Sequence, residues 1–93
     1  MHHTELEEET DILTDKEKEY QIILYNDDVN TFDHVIHCLV KICGHQVTQA
    51  EQCANLVHFT GKCEVSRGSL REMKKQCEAL LDEKLSAKIE EKN

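Results

Sequence analysis

The chain from Tyr20 onward alternates between short apolar runs and polar breaks, and each run has its own period. Tyr20-Gln21-Ile22-Ile23-Leu24-Tyr25 is rich in β-branched and aromatic residues and predicts a strand. Asn26 to Thr31 predicts a turn. Phe32, Val35, Ile36, Leu39, Val40 and Cys43 then recur at the spacing of one helical face. Asn30 or Thr31 can cap that helix, Asp33 suits its first turn, and Gly44 sits where a left-handed cap would end it.

A second helix is expected from Thr48-Gln49-Ala50-Glu51, a capping-box pattern, with Ala50, Cys53, Ala54 and Val57 on one face and Gly61 as its stop. Lys62-Cys63-Glu64-Val65 predicts a short strand and Arg67-Gly68 a turn. Ser69-Leu70-Arg71-Glu72 is another capping box, opening a third helix striped by Leu70, Met73, Cys77, Leu80 and Leu81. Leu85 to Glu90 alternates as a last strand. The order is β-α-α-β-α-β. Its natural packing is an α+β fold, a three-stranded sheet, antiparallel or mixed, with helices on one face.

Charge divides the 93 residues unequally. Residues 1–19 carry eight acids against Lys16 and Lys18, which is −6 of the net −8. Their few apolar residues have no period, so this stretch is expected to be a disordered acidic extension ahead of a domain at 20–93. The acidic balance argues against nucleic acid as a partner. No apolar run approaches the roughly 18 residues of a bilayer span, and the N-terminus lacks the order of a signal peptide. A monomer in the cytoplasm is expected.

Five cysteines, with no C-x-x-C pair, fit neither a disulfide framework nor structural zinc. His34 and Cys38 are spaced to share a helical face, with His37, Cys43 and His45 nearby. Two ligands are too few. The expectation is reduced, buried or half-buried thiols, and no metal or other cofactor.

Asn26-Asp27-Asp28 follows an apolar strand and precedes a helix, so it belongs at the rim of the sheet. His58 falls on the last turn of the second helix, beside Ala54 and Val57. If the acidic turn lies next to it, the site offers anionic and amide oxygens, an imidazole and an apolar wall. That chemistry suits an N-terminal amine followed by an apolar side chain. Turn chemistry alone accounts for Asn-Asp-Asp, and the helix dipole alone favours a histidine at that end.

Leu24-Tyr25-Asn26-Asp27-Asp28, then Thr31, Val35 and Leu39, and later Ala50, Val57-His58 and Gly61-Lys62 together resemble the ClpS family, adaptors of the ATP-dependent Clp protease. The likeness extends weakly to Leu85-Ser86-Ala87-Lys88-Ile89-Glu90. It implies a non-catalytic adaptor that binds proteins with Leu, Phe, Tyr or Trp at the N-terminus and delivers them to the N-terminal domain of a Clp AAA+ unfoldase. By position, Asn26, Asp27 and His58 would contact the α-amino group and first peptide bond. Asp28, Asn30, Thr31, Phe32, Val35, Ala54, Val57 and Leu85 would line the side-chain pocket. The N-terminal extension would serve delivery.

The chain departs from the family pattern at Phe32, commonly Met, at Ala54, usually a longer residue, and at Asn30, often Thr. The third helix keeps little of the family's acidic-Ala-acidic-Lys pattern, and the segment from Val65 to Leu85 is shorter. Two other readings follow. One is a Clp-docking regulator or interaction module without amine binding. The other is a small acid–base enzyme using His58 with Asp27 or Asp28, although no oxyanion hole, nucleophile–base pair or cofactor motif accompanies them.

Overall fold

The computed structural model describes residues 18–92. Six elements follow in the expected order: β1 (Tyr20–Tyr25), α1 (Phe32–Cys43), α2 (Val47–Thr60), β2 (Lys62–Gly68), α3 (Leu70–Asp82) and β3 (Ser86–Glu91). The extension at 1–19 lies almost wholly outside the described residues.

The strands form one antiparallel sheet, β2-β1-β3, with the first strand in the middle. Ile22 and Leu24, two residues apart, point to one face of β1 and are 0% and 1% exposed. They meet Leu39 of α1, Ala50 and Val57 of α2, and Met73 and Leu80 of α3 in a single core. All three helices therefore cover that face.

Local signals set most of the helix ends. Thr31 caps α1 by accepting from the His34 amide at 3.1 Å, and Gly44 closes it at φ 73°. Ser69 and Glu72 form the reciprocal capping box of α3. The box expected at Thr48 and Glu51 does not form. The cap of α2 is Gln46, without a side-chain hydrogen bond, and Val47 is already helical. The cause is tertiary. His45 is buried and its Nε2 lies 2.6 Å from the Val65 carbonyl oxygen, which fixes where the chain re-enters a helix and leaves Thr48 inside the first turn.

β2 is also longer than its sequence suggests. Arg67 and Gly68 are not a turn but pair with Gln21 and Tyr20. A register shift between Ile22 and Ile23 skips Val65, whose side chain is buried in the core. That bulge frees the carbonyl that His45 takes up. Among the described residues, no helix is long and apolar enough to cross a membrane.

All five cysteines are free thiols. Burial pushes Cys43 up to about 11, helped by negative charge at Cys53 and Cys38. Burial, then a hydrogen bond with Cys53, pushes Cys63 up to about 12. Burial also raises Cys38 and Cys77. The thiolate is the nucleophile. Iodoacetamide at neutral pH is therefore expected to alkylate these residues at least about tenfold more slowly than a free thiol, and urea to abolish the protection. Mass spectrometry of the labelled chain checks this, and fast labelling of the folded protein would contradict it.

Candidate functional site

Where β1 ends, its chain meets the end of α2. The Asn26 amide donates to the Gly61 carbonyl oxygen at 2.9 Å, and Gly61 turns out of α2 at φ 99°. That one backbone bond sets the Asn26-Asp27-Asp28 turn against the last turn of α2, which carries His58. The cavity between them has a volume of about 270 Å³. Asn26, Asp27, Asp28, Asn30, Thr31 and His58 supply its polar lining, and Phe32, Val35, Ala54 and Val57 its apolar lining.

Ten of the eleven residues expected at the site thus share one cavity. Leu85 lies behind it. It is 3% exposed and borders a void of about 30 Å³ beneath the turn, together with Asn26, Asp27, Asn30, Val35 and Val57. The main cavity falls just below the roughly 300–1,000 Å³ typical of small-molecule sites. It suits one side chain.

Asp27 organises the turn. Its Oδ1 accepts from the Val29 and Asn30 amides, both at 3.0 Å, and from Asn30 Nδ2 at 3.1 Å. Its Oδ2 accepts from Asn30 Nδ2 at 2.9 Å and from the Ser86 hydroxyl of β3 at 3.1 Å. Partial burial pushes the Asp27 carboxyl up. The bonds from Asn30, Val29 and Ser86 outweigh it and hold the group below the usual carboxylate range. Asp27 consequently contributes fixed negative charge more than an open acceptor.

Asn30 Nδ2 also donates to the Lys84 carbonyl oxygen at 2.8 Å, tying the turn to the corner between α3 and β3. That corner closes with Leu85 N–H to the Leu80 carbonyl and Lys84 N–H to the Leu81 carbonyl, and it places Lys84 at φ 72°. Among the described residues, the side chains of Asn26 and His58 are engaged by no such bonds. Both residues line the cavity.

The rim is aromatic. His58 meets Phe32 edge-on, with ring centroids 6.1 Å apart, and Phe59 edge-on at 4.8 Å. Phe59 is 77% exposed and is not one of the site residues expected from the sequence. An apolar residue on the solvent side of a helix's last turn, next to His58, is the sequence signal that marks it. Ser86 and Lys84 carry no such signal, since their partners lie more than 50 residues away.

Residues 15–88 match the family described as ATP-dependent Clp protease adaptor protein ClpS. An ATP-dependent Clp protease adapter protein ClpS from Thermosynechococcus vestitus is 36% identical over 63 residues, 67% of each chain. One from Nostoc sp. is 48% identical over 44 residues, 46% of this chain and 45% of the relative, so that match spans under half of the relative's length. Among solved structures, Agrobacterium tumefaciens ClpS2 bound to L-phenylalaninamide superposes with a TM-score of 0.75 at 20% identity. The superposition covers 81% of this chain and 98% of that one, and it shows a shared fold.

Proposed function

Because the chain belongs to the ClpS family of Clp protease adaptors, we propose that it binds proteins bearing a bulky hydrophobic N-terminal residue and delivers them to a Clp AAA+ unfoldase. The reading is of a binder without catalysis. The observation that carries it is the cavity itself, a hole the size of one side chain whose lining joins Phe32, Val35, Ala54 and Val57 to Asn26, Asp27 and His58.

In this reading the ammonium donates to Asn26 Oδ1 and to the imidazole of His58, within the field of the Asp27 carboxylate. The first side chain enters between Val35, Ala54 and Val57. Phenylalaninamide, the ligand named for the Agrobacterium relative, has both features: a free α-amino group and an apolar ring. The energetics require both. Burying Phe or Leu is worth about 1.5–3 kcal/mol, and each hydrogen bond to a charged group about 1.5–3 kcal/mol. Association costs about 4 kcal/mol or more, so neither half suffices alone.

A panel of peptides differing only in residue one tests the reading by fluorescence polarisation. Ala54 is buried in the lining and its short side chain leaves depth in the pocket, while Phe32 and His58 pair edge-on. An aromatic first residue can join that array for about 0.5–1.5 kcal/mol beyond its burial. Phe, Tyr and Trp are expected to bind about threefold to tenfold tighter than Leu. A clear preference for Leu would refute the order, and binding that ignores residue one would refute the function.

A further inference from the structure

The His34–Cys38 pair offers two ligands in the sequence, and the fold adds a third. Glu83, at the end of α3, brings its carboxylate to the same point. His34 Nε2, Cys38 Sγ and a Glu83 carboxylate oxygen all lie within 4.8 Å of one another. The sulfur is 3.6 Å from His34 Nε2, and Glu83 Oε1 is 3.9 Å from that same nitrogen. A tetrahedral ion with bonds of about 2.3 Å to sulfur and about 2.05 Å to nitrogen holds those two ligands about 3.6 Å apart, and nitrogen and oxygen about 3.4 Å apart. The first separation is met as it stands. The second, and the sulfur–oxygen separation of at most 4.8 Å, need the exposed Glu83 carboxylate to move inward.

We propose that His34, Cys38 and Glu83 form a binding site for a zinc-class transition metal. One soft, one intermediate and one hard donor favour zinc or cobalt over magnesium or calcium, which take oxygen ligands. Three protein ligands leave a fourth position for water. His34 Nε2 also lies 3.0 Å from the Glu83 carbonyl oxygen, so the ion replaces that hydrogen bond and the ring carries its proton on Nδ1.

Access is present although Cys38 is only 1% exposed. A cavity of about 380 Å³ opens onto Cys38 and Glu83, with His37, Lys41 and Asp82 around it. Binding has a place in the fold, because it would pin Glu83, whose neighbour Lys84 holds Asn30. The site is separate from the amine-reading cavity, and its test does not depend on peptide binding.

The full chain, reduced and stripped of metal with a chelator, is titrated with cobalt(II). The expected result is a near-ultraviolet sulfur-to-cobalt charge-transfer band that saturates at a single equivalent and is erased by zinc(II) but not by magnesium(II). Cys38→Ser removes the band. Cys38 is a core residue, so Glu83→Gln and His34→Gln decide the matter at partly exposed positions. Each is expected to weaken zinc affinity about tenfold or more, since even partners outside the ligand shell are worth that much. Replacing His2 and His3 with alanine leaves the band unchanged. No band, a band undiminished in Glu83→Gln and His34→Gln, or a band lost with His2 and His3 would each overturn the site.

Discussion

Acetylating the α-amino group of a Phe-initiated peptide is expected to reduce its binding to this chain below detection. Acetylation removes the positive charge and leaves one amide N–H where the ammonium had three donors. Two charge-assisted hydrogen bonds, to Asn26 and His58, are lost at about 1.5–3 kcal/mol each. Together they amount to at least about a hundredfold in affinity. The added methyl carbonyl must also fit within a cavity of about 270 Å³ lined by Asn26, Asp27 and His58. The negative charge held at Asp27 makes the loss larger, because it attracts the ammonium and gives the neutral amide nothing. Fluorescence polarisation with paired free and acetylated peptides measures it. Equal affinities would remove the amine-reading function while leaving the fold and the family untouched.

Asp27→Ala is expected to remove peptide binding and also to weaken the fold. The truncation leaves the Val29 and Asn30 amides and the Ser86 hydroxyl without their acceptor, and the Asn30 side chain with the Lys84 carbonyl alone. Partly exposed donors regain some water, so the stability loss is expected at the lower end of the about 1–3 kcal/mol range. Asp27→Asn separates the two effects. Its oxygen can still accept from the Val29 and Asn30 amides, although its NH2 then faces the Asn30 NH2, so the turn is expected to weaken less than in Asp27→Ala while the charge is gone. Denaturant unfolding of both variants, beside their peptide affinities, distinguishes turn from charge. Unchanged binding in Asp27→Ala would mean that the turn organises itself without Asp27.

The same residue sets an acid limit. Its folded carboxyl titrates below the ordinary 3.8, so the ionised form is the one the fold favours. The stability it adds is present above that ordinary value. It is lost as the pH falls below 3.8 and through the lower folded value. In Asp27→Asn that share of the acid dependence is expected to vanish.

The element order is legible because apolar periods switch cleanly from two to 3.6 and back between polar breaks. The core positions Ile22, Leu24, Leu39, Met73 and Leu80 follow from those periods. What stays illegible depends on distant partners. The start of α2 departs from its capping pattern because a buried His45 held by Val65 outweighs a local signal. β2 reads as too short because Val65 bulges out of register and hides the alternation that continues to Gly68. At the site, the lining residues are readable as a group. How Asp27 uses its oxygens is not, since Ser86 lies 59 residues away. Leu85 stands one layer behind the cavity for the same reason, as contact through a void carries no sequence mark.

The position of β1 at the centre of the sheet has a mechanical meaning. The chain enters the domain at Tyr20, and the cavity lies at the opposite end of that strand, roughly 17 Å away at about 3.3 Å per residue. A pull on residues before Tyr20 along the axis of β1 does not peel an edge. It loads the ladders to β2 and β3 together, in shear, so that both must slip at once. An edge strand pulled the same way would be held by one ladder in place of two. The two ladders of β1 thus hold its end at Tyr20 from both sides of the sheet.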